Sequence, residues 1–138
     1  MANVGFIVAS NEAFNNNGEI IIRKPLPILN PYTIPGYFSF MVSFSMFNLS
    51  PKKDHKFIIK IISPNGNDVI KTDNINFRFD PQKEDIENTH VAVINLNFSN
   101  VLFKETGIHK ISVTIDGENT KEIKIPVFPH KQGGDLNG

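Results

Sequence analysis

The clearest structural signal in this chain lies in residues 38–47, which read FSFMVSFSMF. Bulky apolar side chains alternate there with smaller or more polar ones, and such alternation is typical of a β-strand with two different faces. Phe40, Val42 and Phe44 share one face, which we expect to point into a hydrophobic core. The other face is rich in serine and is therefore small and polar.

The same alternation recurs on both sides of this stretch, while helical periodicity is nearly absent. Strands are predicted at residues 4–10, 19–23, 56–62, 69–70, 75–79, 90–98, 109–115 and 123–127. Turn-forming sequences separate them at intervals of about ten residues, as in antiparallel sandwiches and barrels. The sequence therefore predicts an all-β protein of eight or nine short strands.

The predicted core takes the inward-facing residues of these strands. Its members are Phe40, Val42, Phe44, Ile59, Ile61, Phe77, Ile94, Leu96, Ile111, Val113, Ile115, Ile123 and Ile125. Four prolines interrupt the strand pattern between residues 25 and 35, and prolines at that density cannot lie in a central strand. We expect this stretch to be a rigid crossover between two sheets.

The length of 138 residues is that of one domain. We predict a single β-sandwich domain over residues 1–129, followed by a flexible polar tail over 130–138. No apolar run is long enough for a membrane helix or a signal-peptide core, so the expected location is the cytoplasm, without membrane contact.

The charge balance argues against nucleic acid as a partner. Lys plus Arg is 14 and Asp plus Glu is 14, which gives a net charge of zero. The one local basic cluster surrounds Phe57, and strand alternation turns that ring inward, where it cannot stack on a base.

No pattern of catalytic or metal-binding residues is present in the sequence. Cysteine is absent, and the four histidines, His55, His90, His109 and His130, lie on different elements without metal-ligand spacing. We expect each to be exposed or to make one hydrogen bond. The acidic residues between Asp80 and Asn88 lack the order of a calcium loop and are predicted to form a solvated loop. We therefore predict no catalytic residues, no metal and no cofactor.

Parts of the chain resemble immunoglobulin-like domains. The turn Ser63-Pro64-Asn65-Gly66 is similar to a strand turn of those domains, and residues 107–117, GIHKISVTIDG, are similar to their closing hairpin. In that hairpin His109 takes the place of the usual tyrosine. The resemblance implies an immunoglobulin-like antiparallel β-sandwich of about eight strands.

The whole layout resembles an uncharacterised domain family of bacteria and phages. Its motifs are Pro-x-x-Phe-x-Phe, seen at residues 35–40, Pro-x-Gly, seen at residues 64–66, and the glycine-led final hairpin. The resemblance covers residues 3–128. The family has no known activity, so the resemblance implies no functional residues.

A protein surface is the remaining candidate for function. Met41, Phe47 and Leu49 fall on the serine side of the 38–47 strand and are predicted to form an interaction surface if that side faces solvent. Three hypotheses remain: a non-catalytic module that binds another protein or itself, a phage or mobile-element protein that blocks a host factor, and a small metal-dependent hydrolase. We favour the first and predict that the chain is not an enzyme.

Overall fold

The computed structural model describes residues 1–80 and 90–130, and these residues form nine strands. The strands are β1 (Asn3–Asn16), β2 (Glu19–Pro25), β3 (Gly36–Phe47), β4 (Asp54–Ile62), β5 (Asp68–Lys71), β6 (Ile75–Arg78), β7 (Ala92–Phe103), β8 (Gly107–Ile115) and β9 (Asn119–Val127). The all-β prediction is confirmed. The predicted acidic loop and tail lie outside the described residues, apart from Asp80 and His130.

Two antiparallel sheets share these strands. One, sheet A, has the order β2-β1-β3-β7; the other, sheet B, has the order β5-β4-β8-β9, with β6 also paired to β4. The alternating strand of residues 38–47 thus becomes the interior strand β3 of sheet A. The hairpin predicted around Asp116 and Gly117 is confirmed, because β8 pairs with β9 along its whole length.

A shared hydrophobic core joins the two sheets. Phe44 from β3 meets Phe57 from β4 edge-on, with ring centroids 5.0 Å apart. Most of the predicted core is buried. Four members are only partly buried and pack against the cluster from its margins: Phe77, Ile94, Leu96 and Ile123. Each of them lies on β6, β7 or β9 rather than on an interior strand.

β-Bulges interrupt two strands, β1 and β7, and in β7 the bulge carries the strand beyond residue 98, where the sequence predicts its end. Between Val4 and Ile7, β1 has one more residue than the facing part of β3, and β7 has one more between Phe98 and Val101. A bulge breaks the alternation locally without ending the strand. The apolar residues after Asn100 therefore continue β7.

The proline-rich connection does not cross between sheets, so that prediction is wrong. It links β2 to β3, which both belong to sheet A. On the way, Leu29 forms a parallel bridge with Val127 at the edge of sheet B and is fully buried. The amide of Leu29 donates to the Pro126 carbonyl at 2.9 Å, so the connection covers the end of β9.

Candidate functional site

The three residues predicted to form an interaction surface do not all face solvent. Phe47 is 38% exposed and Met41 is half-buried, but Leu49 is only 1% exposed. Asn48, which lies between Phe47 and Leu49, has a φ of 59°, a left-handed conformation that ends the strand alternation. Leu49 consequently turns into the core, and the part of the prediction that placed it on the surface is wrong.

The serines of β3 have a structural task. Ser45 Oγ accepts a hydrogen bond from the Phe6 amide at 2.9 Å, inside the bulge of β1. Ser39 Oγ accepts one from the Asn100 amide at 2.8 Å, inside the bulge of β7. A bulge leaves an amide without its ladder partner, and a short hydroxyl side chain on the neighbouring strand replaces that partner.

The most unusual surface feature is the outer edge of β7. This strand ends sheet A, and within residues 1–80 and 90–130 only β3 pairs with it. Its twelve residues, AVINLNFSNVLF, contain no charge and no proline. Ile94 and Leu96 point toward the core like their neighbours on β3, yet both remain partly exposed, and no further strand of the described residues covers them.

The other sheet edges carry residues that discourage pairing. Charged side chains and prolines on an edge strand prevent another chain from adding to it. β2 carries Arg23, Lys24 and Pro25, and β9 carries Lys121, Glu122, Lys124 and Pro126. β5 begins with Asp68 and ends with Lys71, and β6 ends with Arg78. Among the described strands that lie at a sheet edge, only β7 lacks this protection.

His55 makes two hydrogen bonds where the sequence predicts at most one. It is 3% exposed; its Nδ1 lies 2.7 Å from Asp116 Oδ2, and its Nε2 lies 3.0 Å from the Ser50 carbonyl oxygen. The carboxylate and the carbonyl oxygen hold the ring from both sides and link β4 to the β8–β9 turn and to Ser50. The prediction for this histidine is therefore wrong, because His55 is buried and both of its ring nitrogens are hydrogen-bonded.

Asp116 fastens the β8–β9 turn to β4. Its Oδ1 accepts from the Lys56 amide at 3.0 Å, and its own amide donates to the Lys56 carbonyl at 2.8 Å. Burial raises the pKa of Asp116, but the hydrogen bonds from His55 and from the Lys56 amide, with the positive charges nearby, outweigh burial and lower that pKa overall. The carboxylate is thus held in its charged form.

His109 is fully buried at the start of β8. Its Nδ1 donates to the Gly107 carbonyl at 3.0 Å, so the ring bonds back to the backbone upstream, as the corner tyrosine of immunoglobulin domains does. Its Nε2 has no hydrogen-bond partner. Among the buried side-chain nitrogen and oxygen atoms of the described residues, it is the only one without a partner. His109 lines a cavity of about 190 Å³ with polar neighbours such as Asn67, and a cavity of that kind suits water.

No group of three or more histidine or acidic side chains within residues 1–80 and 90–130 could hold a metal ion. The same part of the chain contains no helix long and apolar enough to cross a membrane.

Comparison with known proteins places the chain in a family. It belongs to DUF6941, a family of unknown function whose model matches residues 5–128. No curated protein matches the chain. The family match spans both sheets, from the first bulge of β1 to the end of β9.

Sequence reasoning missed the edge of β7 and the bonds of His55. Both depend on which strands become neighbours, and the alternation within a single strand does not predict its neighbours. The composition of the strand does not mark it as an edge, because the interior strand β3 is just as long and also lacks charge and proline.

Proposed function

We propose that this protein is a non-catalytic protein-interaction module of immunoglobulin-like type, and that it binds a protein partner by pairing a strand with β7. The observation that carries the proposal is the uncharged, proline-free outer edge of β7. An extended segment added there would form main-chain hydrogen bonds and cover Ile94 and Leu96. This mode of binding needs no catalytic group.

The strand order supports the immunoglobulin-like classification. β1, β3 and β7 take the places of strands A, B and E, while β4, β8 and β9 take those of C, F and G. In constant-type domains a fourth strand, D, pairs with E. Here β6 pairs with β4 instead, so the place of strand D beside β7 is open in the described residues.

The histidine and serine side chains that could act in catalysis are engaged in structural hydrogen bonds, which supports a binding role over a catalytic one. His55 has both ring nitrogens engaged, and Ser39 and Ser45 are occupied with the bulge amides. A serine nucleophile would need a histidine as its base, and neither His55 nor His109 bonds to a serine side chain.

Leu96→Lys tests the proposal, because a charge pointing inward on an edge strand blocks addition of another strand. Ile123→Lys is the matched control: Ile123 is also a partly buried, inward-facing residue of an edge strand, but on β9. We expect both variants to lose similar stability in thermal unfolding. Only Leu96→Lys is expected to weaken the complex. We expect its Kd to rise at least about tenfold, which corresponds to a loss of about 1.4 kcal/mol of binding free energy.

The complexes are measured by sedimentation of the purified protein and by affinity capture from lysate of its own host. A complex that depends on Leu96 supports the proposal whether the partner is a second copy or another protein, including a blocked host factor. Absence of any complex, or a complex that Leu96→Lys leaves intact, contradicts it.

A further inference from the structure

We infer that the strand pairing with β7 is the β7 of a second copy of this chain, antiparallel to the first and centred on Asn95. This inference rests on the proposed pairing at β7 and names the partner. Two four-stranded sheets would join into one continuous sheet in the order β2-β1-β3-β7-β7-β3-β1-β2. Such a contact is isologous, because each copy contributes the same residues.

The backbone of β7 limits the pairing register. Residues 92–98 form an unbroken ladder with β3, and left-handed residues lie beyond both ends of it, His90 with a φ of 48° and Asn100 with a φ of 54°. The Asn100 end coincides with the bulge against β3, which bends the strand away from a regular ladder. Antiparallel pairing that uses the whole stretch must be centred on its midpoint, residue 95.

The side chains of this stretch complement themselves in that register. On the core face, Ile94 lies opposite Leu96 of the second copy, and the smaller Ala92 lies opposite the larger Phe98. The apolar pairs stabilise the contact, since directly opposed side chains are the unit of sheet stability. Ile94 and Leu96, which are partly exposed in one copy, gain a neighbour on their open side.

Electrostatics favour a second copy as the occupant. The chain has a net charge of zero, and β7 carries no charged residue, so two copies approach this edge without repulsion. The edges of β2 and β9 carry charged residues and a proline each, which hinder the addition of another strand.

Single cysteines test both the partner and the register, because the chain has no cysteine of its own. In the inferred register the two side chains at position 95 face each other with Cβ atoms about 5 Å apart, within reach of a short thiol cross-linker. Asn95→Cys is therefore expected to give a covalent dimer in most molecules. Asn97→Cys is the control, because its two copies lie about 13 Å apart along the strands, four residues at about 3.3 Å each.

A mixing experiment provides a second route if Asn95→Cys disturbs the strand through its bond with Ser43. Val93 lies opposite Asn97 of the second copy, so Val93→Cys protein mixed with Asn97→Cys protein is expected to cross-link, while each alone does not. This result would support the inference independently of residue 95.

The outcomes separate this inference from the proposed function. A monomeric chain that binds a different protein through Leu96 overturns the second copy as partner and leaves strand pairing at β7 intact. A Leu96-dependent dimer without cross-linking at 95, and without cross-linking in the 93–97 mixture, overturns the register. Absence of any Leu96-dependent complex overturns both.

Discussion

Replacing Asp116 with asparagine is expected to lower the free energy of unfolding by about 1.5–3 kcal/mol at neutral pH, the range for hydrogen bonds to charged groups. The substitution removes the negative charge that faces the buried His55 ring at 2.7 Å. It leaves the turn intact, since asparagine tolerates the left-handed φ of 54° at this position. Chemical denaturation at several pH values measures the change.

The cost of Asp116→Asn is expected to shrink in acid. The folded state lowers the pKa of Asp116, so the carboxylate contributes stability above its unfolded pKa, and this contribution is lost as the pH falls through the folded pKa. The difference between wild type and variant should therefore be present at neutral pH and decline below about pH 4, near the ordinary aspartate pKa.

Asp54→Asn is the control for this effect. Asp54 is a carboxylate at the start of β4 that pairs with Arg78 at 3.2 Å, but its side chain is 81% exposed. Exposed ion pairs contribute about 0–1 kcal/mol, so its removal should cost little. Equal costs for the two variants, or a cost of Asp116→Asn that grows in acid, would contradict a stabilising role for the hydrogen bond between His55 and the Asp116 carboxylate.

Gly5→Ala is expected to destabilise the fold by about 1–3 kcal/mol, the cost of leaving a hydrogen-bonding group unsatisfied. A Cβ atom at Gly5 would overlap Ser45 Oγ, which accepts from the Phe6 amide in the β1 bulge. The hydroxyl must rotate away, and the amide then loses its acceptor. The backbone at Gly5 is outside the left-handed region, so the overlap is the obstacle to a side chain there.

A double-mutant cycle isolates this contact. In a Ser45→Ala background, the new Cβ would meet only ordinary neighbours, the nearest being the residue 45 Cβ at 3.5 Å. Gly5→Ala should then be neutral or stabilising by up to about 1 kcal/mol, because alanine reduces the entropy of the unfolded chain. A cost of Gly5→Ala that is the same in both backgrounds would show that Ser45 does not hold the bulge. Denaturant midpoints of the four proteins give the coupling energy.

The strands could be predicted from sequence because each strand carries its own alternation. Phe40, Val42 and Phe44 are buried as the alternation predicts, and Ser43 and Ser45 beside them are buried as well. The bulges could not be predicted, because one extra residue beside Gly5 or Asn100 shifts the pattern without ending the strand. Leu49 was predicted on the surface for a related reason, because the left-handed backbone of Asn48 also breaks the alternation.

The candidate site was harder to predict, because an edge is a property of strand order. The half-exposure of Ile94 and Leu96 follows from the position of β7 at the end of sheet A, and their apolar character led to a core prediction. His55 and Asp116 are 61 residues apart in sequence, so their hydrogen bond appears only when β4 lies beside the β8–β9 turn.

Amide hydrogen exchange along β7 is the most direct test of the central claim that β7 pairs with a second protein strand. In an edge strand alternate amides point outward and exchange rapidly, whereas a strand with partners on both sides protects every amide. We predict that the amides of residues 92–98 exchange alternately fast and slowly at low protein concentration. All of them should become slow as the concentration rises or a partner is added. Rapid exchange of the outward amides under every condition that yields a complex would contradict the claim.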